Sequence, residues 1–343
     1  MNKRPAQIKT PSVSVVIPTH NRARSLGHVL DALSGVQREV AGLEVVVVDD
    51  GSTDDTLEYV GGRDWGLDLK LVSQAQSGVA VARNHGARVA TAPILVFIDD
   101  DVAPAPGFLA AHLDAQWEID NAVSIGRLAP SDDPEAKPPG WWRWLEWQFE
   151  KQYADIESGE RTLDGISLYS GNFSLPAVLF WQVGGFDETV RYCEDAELGL
   201  RLEQVGANFR LAAGAVGHHS GYRSFQSWRD AAYRGGFWDS EQMLKMRKVY
   251  SLGDLVRDFH HRHKILRSVA QVVLGRPRLF GLTIAAMRGV AVAAGGVRLR
   301  KLERYAYGGI YDLTYWHGLC DGLGGFSLLQ RYIRNSSTLE AAA

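Results

Sequence analysis

At 343 residues, with 45% apolar and 22% charged side chains, the chain exceeds one ordinary domain and is too apolar for disorder. Two domains, or one large domain with an extension, are therefore expected. A net charge of −3 excludes a dedicated nucleic-acid binder, and two cysteines, Cys193 and Cys320, cannot make a disulfide framework. That cysteine usage points to a reducing, cytoplasmic setting.

Residues 1–11 form a polar, basic tail with no apolar signal core. Residues 13–17, 43–48, 69–72 and 94–98 are continuous apolar runs, the pattern of strands buried on both faces. Between them, residues 23–36 place Leu26, Val29, Leu30 and Leu33 at helical spacing, and residues 79–90 and 108–117 read as further helices. Strands alternating with helices imply right-handed crossovers and an α/β, Rossmann-like, doubly wound and mostly parallel sheet, whose ligands bind at the strands' carboxyl ends. Past Trp117 the pattern loosens, and residues 130–140 read as a loop. Four tryptophans follow within residues 141–147, and residues 194–205 form a helix stopped by Gly206.

From about residue 226 onward a mainly helical C-terminal extension is expected. The divisions are a core of 12–225 (halves 12–101 and 102–225), the extension at 226–335, and a tail at 336–343 that ends in a vector-like Leu-Glu-Ala-Ala-Ala. Residues 279–297 are mostly small or apolar, but Arg288 sits at their centre among four glycines, so no membrane span is expected.

Three acidic groups carry the candidate chemistry. Asp99-Asp100-Asp101 follows the 94–98 strand, and three adjacent carboxylates are most simply held together by a hard cation, Mg²⁺ or Mn²⁺. A solvated acidic turn is the alternative, which the position after a buried strand disfavours. Asp49-Asp50-Gly51-Ser52 also ends a strand. Ser52 with Asp55 reads as a capping box, while Asp50 is free to accept from a nucleobase or ribose. Asp195, in the first turn of the 194–205 helix, is either a simple dipole partner or an ionised base for an attacking hydroxyl. His218 and His219 point to opposite sides if extended, so at most one joins a site. For His219 a surface or hydrogen-bonding role is preferred.

Five ordered motifs carry a specific resemblance. Val15-Val16-Ile17-Pro18-Thr19-His20-Asn21-Arg22, Val47-Val48-Asp49-Asp50-Gly51-Ser52-Thr53-Asp54, Gly78-Val79-Ala80-Val81-Ala82-Arg83-Asn84, Phe97-Ile98-Asp99-Asp100-Asp101, and Gly185-Phe186-Asp187-Glu188 with Glu194-Asp195 together resemble the family 2 glycosyltransferases. The likeness spans about residues 12–222. It implies the GT-A fold and an inverting, metal-dependent transfer from a nucleotide-diphospho-sugar, UDP-linked by default, to an acceptor hydroxyl of a sugar, a lipid-linked molecule or a small molecule. It also implies that Pro18, Thr19 and Asp50 line the nucleoside pocket with Arg83 nearby, and that Asn21, Arg22, Asp49 and Asp100 join the donor-binding set. Asp99 and Asp101 would hold Mn²⁺ or Mg²⁺ with His218 as a further ligand. Asp195 would be the catalytic base, with Glu194 shaping the acceptor site. No Gln-x-x-Arg-Trp motif is present, which argues against a processive polysaccharide synthase.

Trp141, Trp142 and Trp144 either pack a core or stack on an acceptor sugar. Residues 257–304 carry eleven Lys or Arg against two acids, either as a solvated helix face or as a surface for anionic membrane. Two rival functions are a catalytically inactive glycan- or sugar-nucleotide-binding module and a nucleotidyltransferase. Intact Asp99, Asp101 and Asp195 disfavour the first. A first strand ending in Pro18-Thr19-His20, in place of a Gly-rich basic loop, disfavours the second.

Overall fold

The computed structural model describes residues 12–246 and 263–331. The expected tails at 1–11 and 336–343, and residues 257–262 of the basic segment, lie outside the described residues. The chain forms two compact units, one of residues 12–137 and 146–221, the other of 138–145 and 222–331.

The first unit is built on an eight-stranded mixed sheet: β1 (Val13–Thr19), β2 (Leu43–Asp50), β3 (Asp68–Gln74), β4 (Ile94–Ile98), β5 (Val102–Pro104), β6 (Ala122–Pro130), β7 (Asn172–Pro176) and β8 (Asn208–His219). Their spatial order is β3-β2-β1-β4-β7-β6-β8-β5. The four strands expected from apolar runs are the parallel half, β3-β2-β1-β4. Every residue of β1, β2 and β4 is buried because helices cover both faces. Val15 and Ile17 pack with Leu26 and Leu30 of α1 (Ala23–Val36), while Val16 belongs to the opposite layer with Phe97, Phe173 and Phe180. Fully burying each such side chain contributes about 1.5–3 kcal/mol.

The second half of the sheet departs from the parallel pattern. β7 inserts antiparallel between β4 and β6, β6 and β8 run parallel, and β5 closes the edge antiparallel to β8. The remaining helices of this unit are α2 (Thr56–Gly61), α3 (Val79–Val89), α4 (Phe108–Glu118), α5 (Gly140–Glu157), α6 (Ala177–Gln182) and α7 (Glu194–Gln204), with the opening residues of α5 assigned to the second unit. On α7, Leu198 and Leu202 are buried as expected, but Val205 falls beyond the helix end and is exposed. The Ser52–Asp55 capping box does not form. The helix starts only at Thr56, where Asp54 accepts from the Thr56 amide at 3.0 Å, and Ser52 Oγ accepts from the Asn21 amide at 2.8 Å.

Helices α8 (Phe225–Met246), α9 (Lys264–Val273), α10 (Pro277–Gly296) and α11 (Arg300–Gly322) make the second unit. α8 and α11 approach closely because Gly236 faces the Tyr315 carbonyl and Gly318 faces the Tyr233 carbonyl, where a Cβ would collide. Trp144, Trp228, Tyr307 and Ile310 share this unit's core. Trp142 and Trp144, at 2% and 4% exposure, are packed against Tyr222 and against Trp228 and Tyr311, so these two rings serve packing and offer no open face to a sugar. Trp141 is half-buried and donates from Nε1 to the Arg223 carbonyl at 3.1 Å. α10 is long and apolar enough to cross a membrane by length and composition alone, with Arg288 near its middle.

Candidate active site

The polar ends of β1, β2 and β4 share one edge of the sheet, because parallel register sets Thr19 beside Asp49 and brings the chain to Asp99 just past Ile98. The first acidic group organises the loops at the ends of β2 and β3. Asp50 accepts from Gln74 Nε2 and the Ser77 amide at 2.8 Å and from the Gly78 amide at 2.9 Å, pinning the loop that enters α3. A carboxylate has about four acceptor positions, so three donors leave one for a ligand. Asp49 accepts from the Ser52 amide and from Ser73 Oγ at 3.2 Å. Asn21, at φ 55°, accepts from the Thr53 amide at 2.7 Å and thereby joins the ends of β1 and β2. His20 Nδ1 lies 2.9 Å from the Asp50 carbonyl. Pro18 is buried in β1 and contributes backbone shape.

The acid triplet occupies the turn between β4 and β5. β7 runs antiparallel to β4, so Gly171 sits beside Asp99, and the Asp99 amide donates to its carbonyl at 3.3 Å. β8 pairs with β5 through Val102 and His219, which brings Ser220 to the Asp101 carbonyl at 2.9 Å. The three side chains then diverge. Asp100 turns inward to accept from Thr19 Oγ1 at 2.7 Å, and burial, partly offset by Thr19 and Arg22, pushes its pKa up to about 7. Asp101 accepts from Arg22 Nη1 at 2.5 Å and lies 3.3 Å from His219 Nε2. Burial alone would raise its pKa, but hydrogen bonds and charge from His219 and Arg22 outweigh it and hold the group below the usual carboxylate range. Asp99 accepts from Arg83 Nη2 at 2.8 Å.

Arg83 links the two halves of the site. At 3% exposure it is buried, with Nη1 2.9 Å from Glu194 Oε1 and its guanidinium 5.4 Å from the centre of the Phe186 ring. It therefore bridges two acids. Next to Glu194 at the start of α7, Asp195 accepts from the Ala196 amide at 2.9 Å and the Ser170 amide at 3.3 Å. Burial, followed by the neighbouring Glu194 charge, raises its pKa to about 6. Cys193, at φ 57°, forms the strained entry to the helix.

Several contributors carried no distinct sequence signal. His219 faces Asp101, whereas the expected ligand His218 is turned away, with Nδ1 2.8 Å from the Pro130 carbonyl. Alternation along β8 permits one of the two at the site, and the β5 pairing selects His219. Asn84 holds the loop before α7 by donating to the Phe186 carbonyl and Glu188 and accepting from the Phe186 amide. Arg201 ties the same loop by donating to the Val183 and Gly185 carbonyls at 2.6 and 2.8 Å.

The donors suit a divalent cation held by few protein ligands. Carboxylate oxygens of Asp99 and Asp101 with one imidazole match Mn²⁺ or Mg²⁺ chemistry. Glycines leave room beside both acids: a Cβ on Gly171 would lie 3.0 Å from Asp99 Oδ2, and one on Gly221 would collide with the Asp101 carboxylate. Among the described residues no three His, Cys, Asp or Glu side chains stand close enough to enclose a metal by themselves. Such a cation would need phosphate and water to complete its shell.

Residues 14–170 match the family described as Glycosyl transferase family 2. The chain is 37% identical over 220 residues to a validoxylamine A glucosyltransferase of Streptomyces hygroscopicus subsp. jinggangensis, covering 57% of this chain and 52% of that one. It is 29% identical over 237 residues to a pre-mycofactocin glycosyltransferase of Mycobacterium tuberculosis, covering 65% and 46%. The chain thus spans about half the length of these curated relatives. A mannosyltransferase of Pyrobaculum calidifontis, solved with GDP-Man and Mn²⁺, shares the fold at TM-score 0.58 and 20% identity, over 91% of this chain and 88% of that one. The mixed sheet is a GT-A sheet, and residues 14–170, which carry the motifs of its strand ends, are similar to glycosyl transferase family 2.

Proposed function

We propose that the protein is an inverting glycosyltransferase that moves a sugar from a nucleotide-diphospho-sugar to an acceptor hydroxyl. The observation that carries this reading is the Arg83 bridge, which ties Asp99 of the acid triplet to Glu194 beside Asp195. Donor-side acids and a separate carboxylate are thereby joined in one constellation. The nucleoside would lie along Thr19 and the spare acceptor position of Asp50. Asp99 and Asp101 would offer carboxylate oxygens to Mn²⁺ or Mg²⁺, with phosphate and water completing the shell, and the cation when bound would supply Lewis-acid stabilisation of the departing diphosphate.

The chain's own groups supply the rest. Arg22 sets the orientation of Asp101, and Thr19 fixes Asp100 away from the ligand. Arg83 balances the charge of Asp99 and Glu194, so the two acids can share one guanidinium. Asp195 takes the acceptor proton, a contribution of about 10²–10⁴-fold. Attack from the side opposite the leaving group inverts the anomeric centre.

UDP is the favoured nucleotide. The relatives named for validoxylamine A and pre-mycofactocin favour a small-molecule acceptor, with glycan and glycolipid acceptors as the wider class. Peripheral contact of the basic helical unit with anionic membrane, at the cytoplasmic face, belongs to the same reading. The test is a thermal-shift panel of UDP- and GDP-sugars with Mn²⁺, followed by a hydrolysis assay on the hits. Release of nucleoside diphosphate is expected. Release of pyrophosphate would instead identify a nucleotidyltransferase, and binding without any turnover would identify a binding module.

A further inference from the structure

In the second unit, α8 and α10 enclose a groove of about 620 Å³ lined by Phe225, Arg229, Ile284, Arg288 and Val292. Its floor is apolar, yet two guanidinium groups share it: Arg288 lies 4.3 Å and Arg229 5.9 Å from the Phe225 ring centre. Arg229 Nε is buried with no hydrogen-bond partner among the described residues. The adjacent acid, Asp230, accepts instead from Gln226 Nε2 at 2.7 Å. Burial works most against the Arg229 cation; the charge of Asp230 offsets part of it, and that of Arg288 adds to it. Two like charges over one ring, without a partnered acid, form a site that an anion would relieve.

The outer face of α10 continues from this groove. Phe280, Ile284, Ala291 and Ala294 point into the unit's core, while Leu282 and Val292 are 69% and 59% exposed. The exposed arc holds Leu, Val, Ala and Gly, with Arg278 and Arg288 its only charged residues. Beyond it, Val297, Leu299 and Tyr305 are exposed among Arg298, Arg300 and Lys301. From residue 263 to 305 there are nine Lys or Arg and one acid, Glu303, which is buried and paired with Arg143 and Arg300. An apolar face flanked by an excess of cations over acids matches the chemistry of an anionic bilayer surface. Such a helix could lie on that surface but not cross it, because its inner face is committed to the core and Arg288 would stand at mid-bilayer.

We propose that α10 rests on anionic membrane, with Arg229 and Arg288 clamping a lipid phosphate and Leu282 and Val292 entering the acyl region. This deepens the peripheral-membrane part of the proposed function and is independent of the transfer site. The test is flotation of the full chain with vesicles of phosphatidylcholine alone and of equal parts phosphatidylcholine and phosphatidylglycerol. Binding only to the anionic vesicles is expected, weakened about fivefold by each of Arg229→Gln and Arg288→Gln, and lost in Leu282→Glu/Val292→Glu. All variants should keep the wild-type nucleotide thermal shift, which reports the other site. Absence of flotation, or equal binding to neutral vesicles, would overturn the proposal. So would protection of the groove by inorganic phosphate as complete as that given by vesicles, since the site would then hold a free anion. Sedimentation showing a dimer that Leu282→Glu dissociates would assign the face to a second copy and likewise overturn it.

Discussion

Arg83 and Glu194 meet at 2.9 Å across 111 residues of sequence, and the arginine spends its other terminal nitrogen on Asp99. A buried cation serving two acids leaves both uncompensated when it is removed. Breaking a buried pair costs about 3–5 kcal/mol, so Arg83→Ala should lower the unfolding midpoint clearly in thermal denaturation. Arg83→Lys keeps the charge but cannot reach both acids in a planar fork. It should recover part of the stability while transfer stays depressed. Full activity in the lysine variant would show that charge alone, and not the bridge, is what the site requires.

Burial raises the Asp195 pKa to about 6, and in its proposed role as base the group must be ionised to work. Transfer should therefore decline as pH falls through about 6 and level off above it, read as the acidic limb of kcat/KM. Asp195→Asn should reduce transfer by about 10²–10⁴-fold while nucleotide binding, followed by thermal shift, is retained. The linkage sign is opposite for stability. A carboxyl with a raised folded-state pKa binds its proton more tightly when folded, so stability falls as pH rises from the unfolded value toward 6. At pH 8 the Asn variant should consequently melt no lower than the parent. A melt lower than the parent's there would contradict this burial of the charge.

His219 and His218 give a sharp contrast beside Asp101. His219→Ala should weaken Mn²⁺-dependent nucleotide binding, because its ring is the one facing Asp101. His218→Ala should leave binding near the parent level, because that ring serves the Pro130 carbonyl. EDTA should stop turnover and added Mn²⁺ should restore it. A Mn²⁺ titration of the two variants separates the assignments, and equal losses in both would undo them.

The parallel half of the fold was legible because β1, β2 and β4 are buried on both faces, which writes uninterrupted apolar runs into the sequence. β6, β7 and β8 were not seen. In β6 and β7, Ser124, Asn172 and Ser174 interrupt the apolarity, and the reason is a buried polar network: His112 Nε2 lies 2.9 Å from Asn172 Oδ1, and Gln116 Nε2 donates to Ser174 Oγ at 3.0 Å. Burial holds His112 neutral, its pKa lowered to about 4. In the site, the acids could be read from strand ends, since position alone makes them notable. The choice of His219 over His218 could not, because it depends on the register between β5 and β8. Arg83 presented a similar difficulty, as nothing in its local sequence indicates that it turns inward between Asp99 and Glu194.

Gly199 offers a test of how rigidly the base is held. A Cβ there would collide with the Gly165 carbonyl, and Gly165 would in turn meet the Gly199 backbone, so α7 and the turn at Gly165–Ser167 touch main chain to main chain. No flexible side chain can yield at this contact, so Gly199→Ala must displace the helix or the turn. Overpacking of this kind costs about 1–3 kcal/mol. Because Asp195 rides on the first turn of α7 and is held by the Ser170 amide just past Gly165–Ser167, the displacement should reach the base. The expected result is a lowered melting temperature together with a fall in kcat larger than any change in donor KM. Destabilisation with kcat unchanged would show that the catalytic position of Asp195 does not depend on this contact.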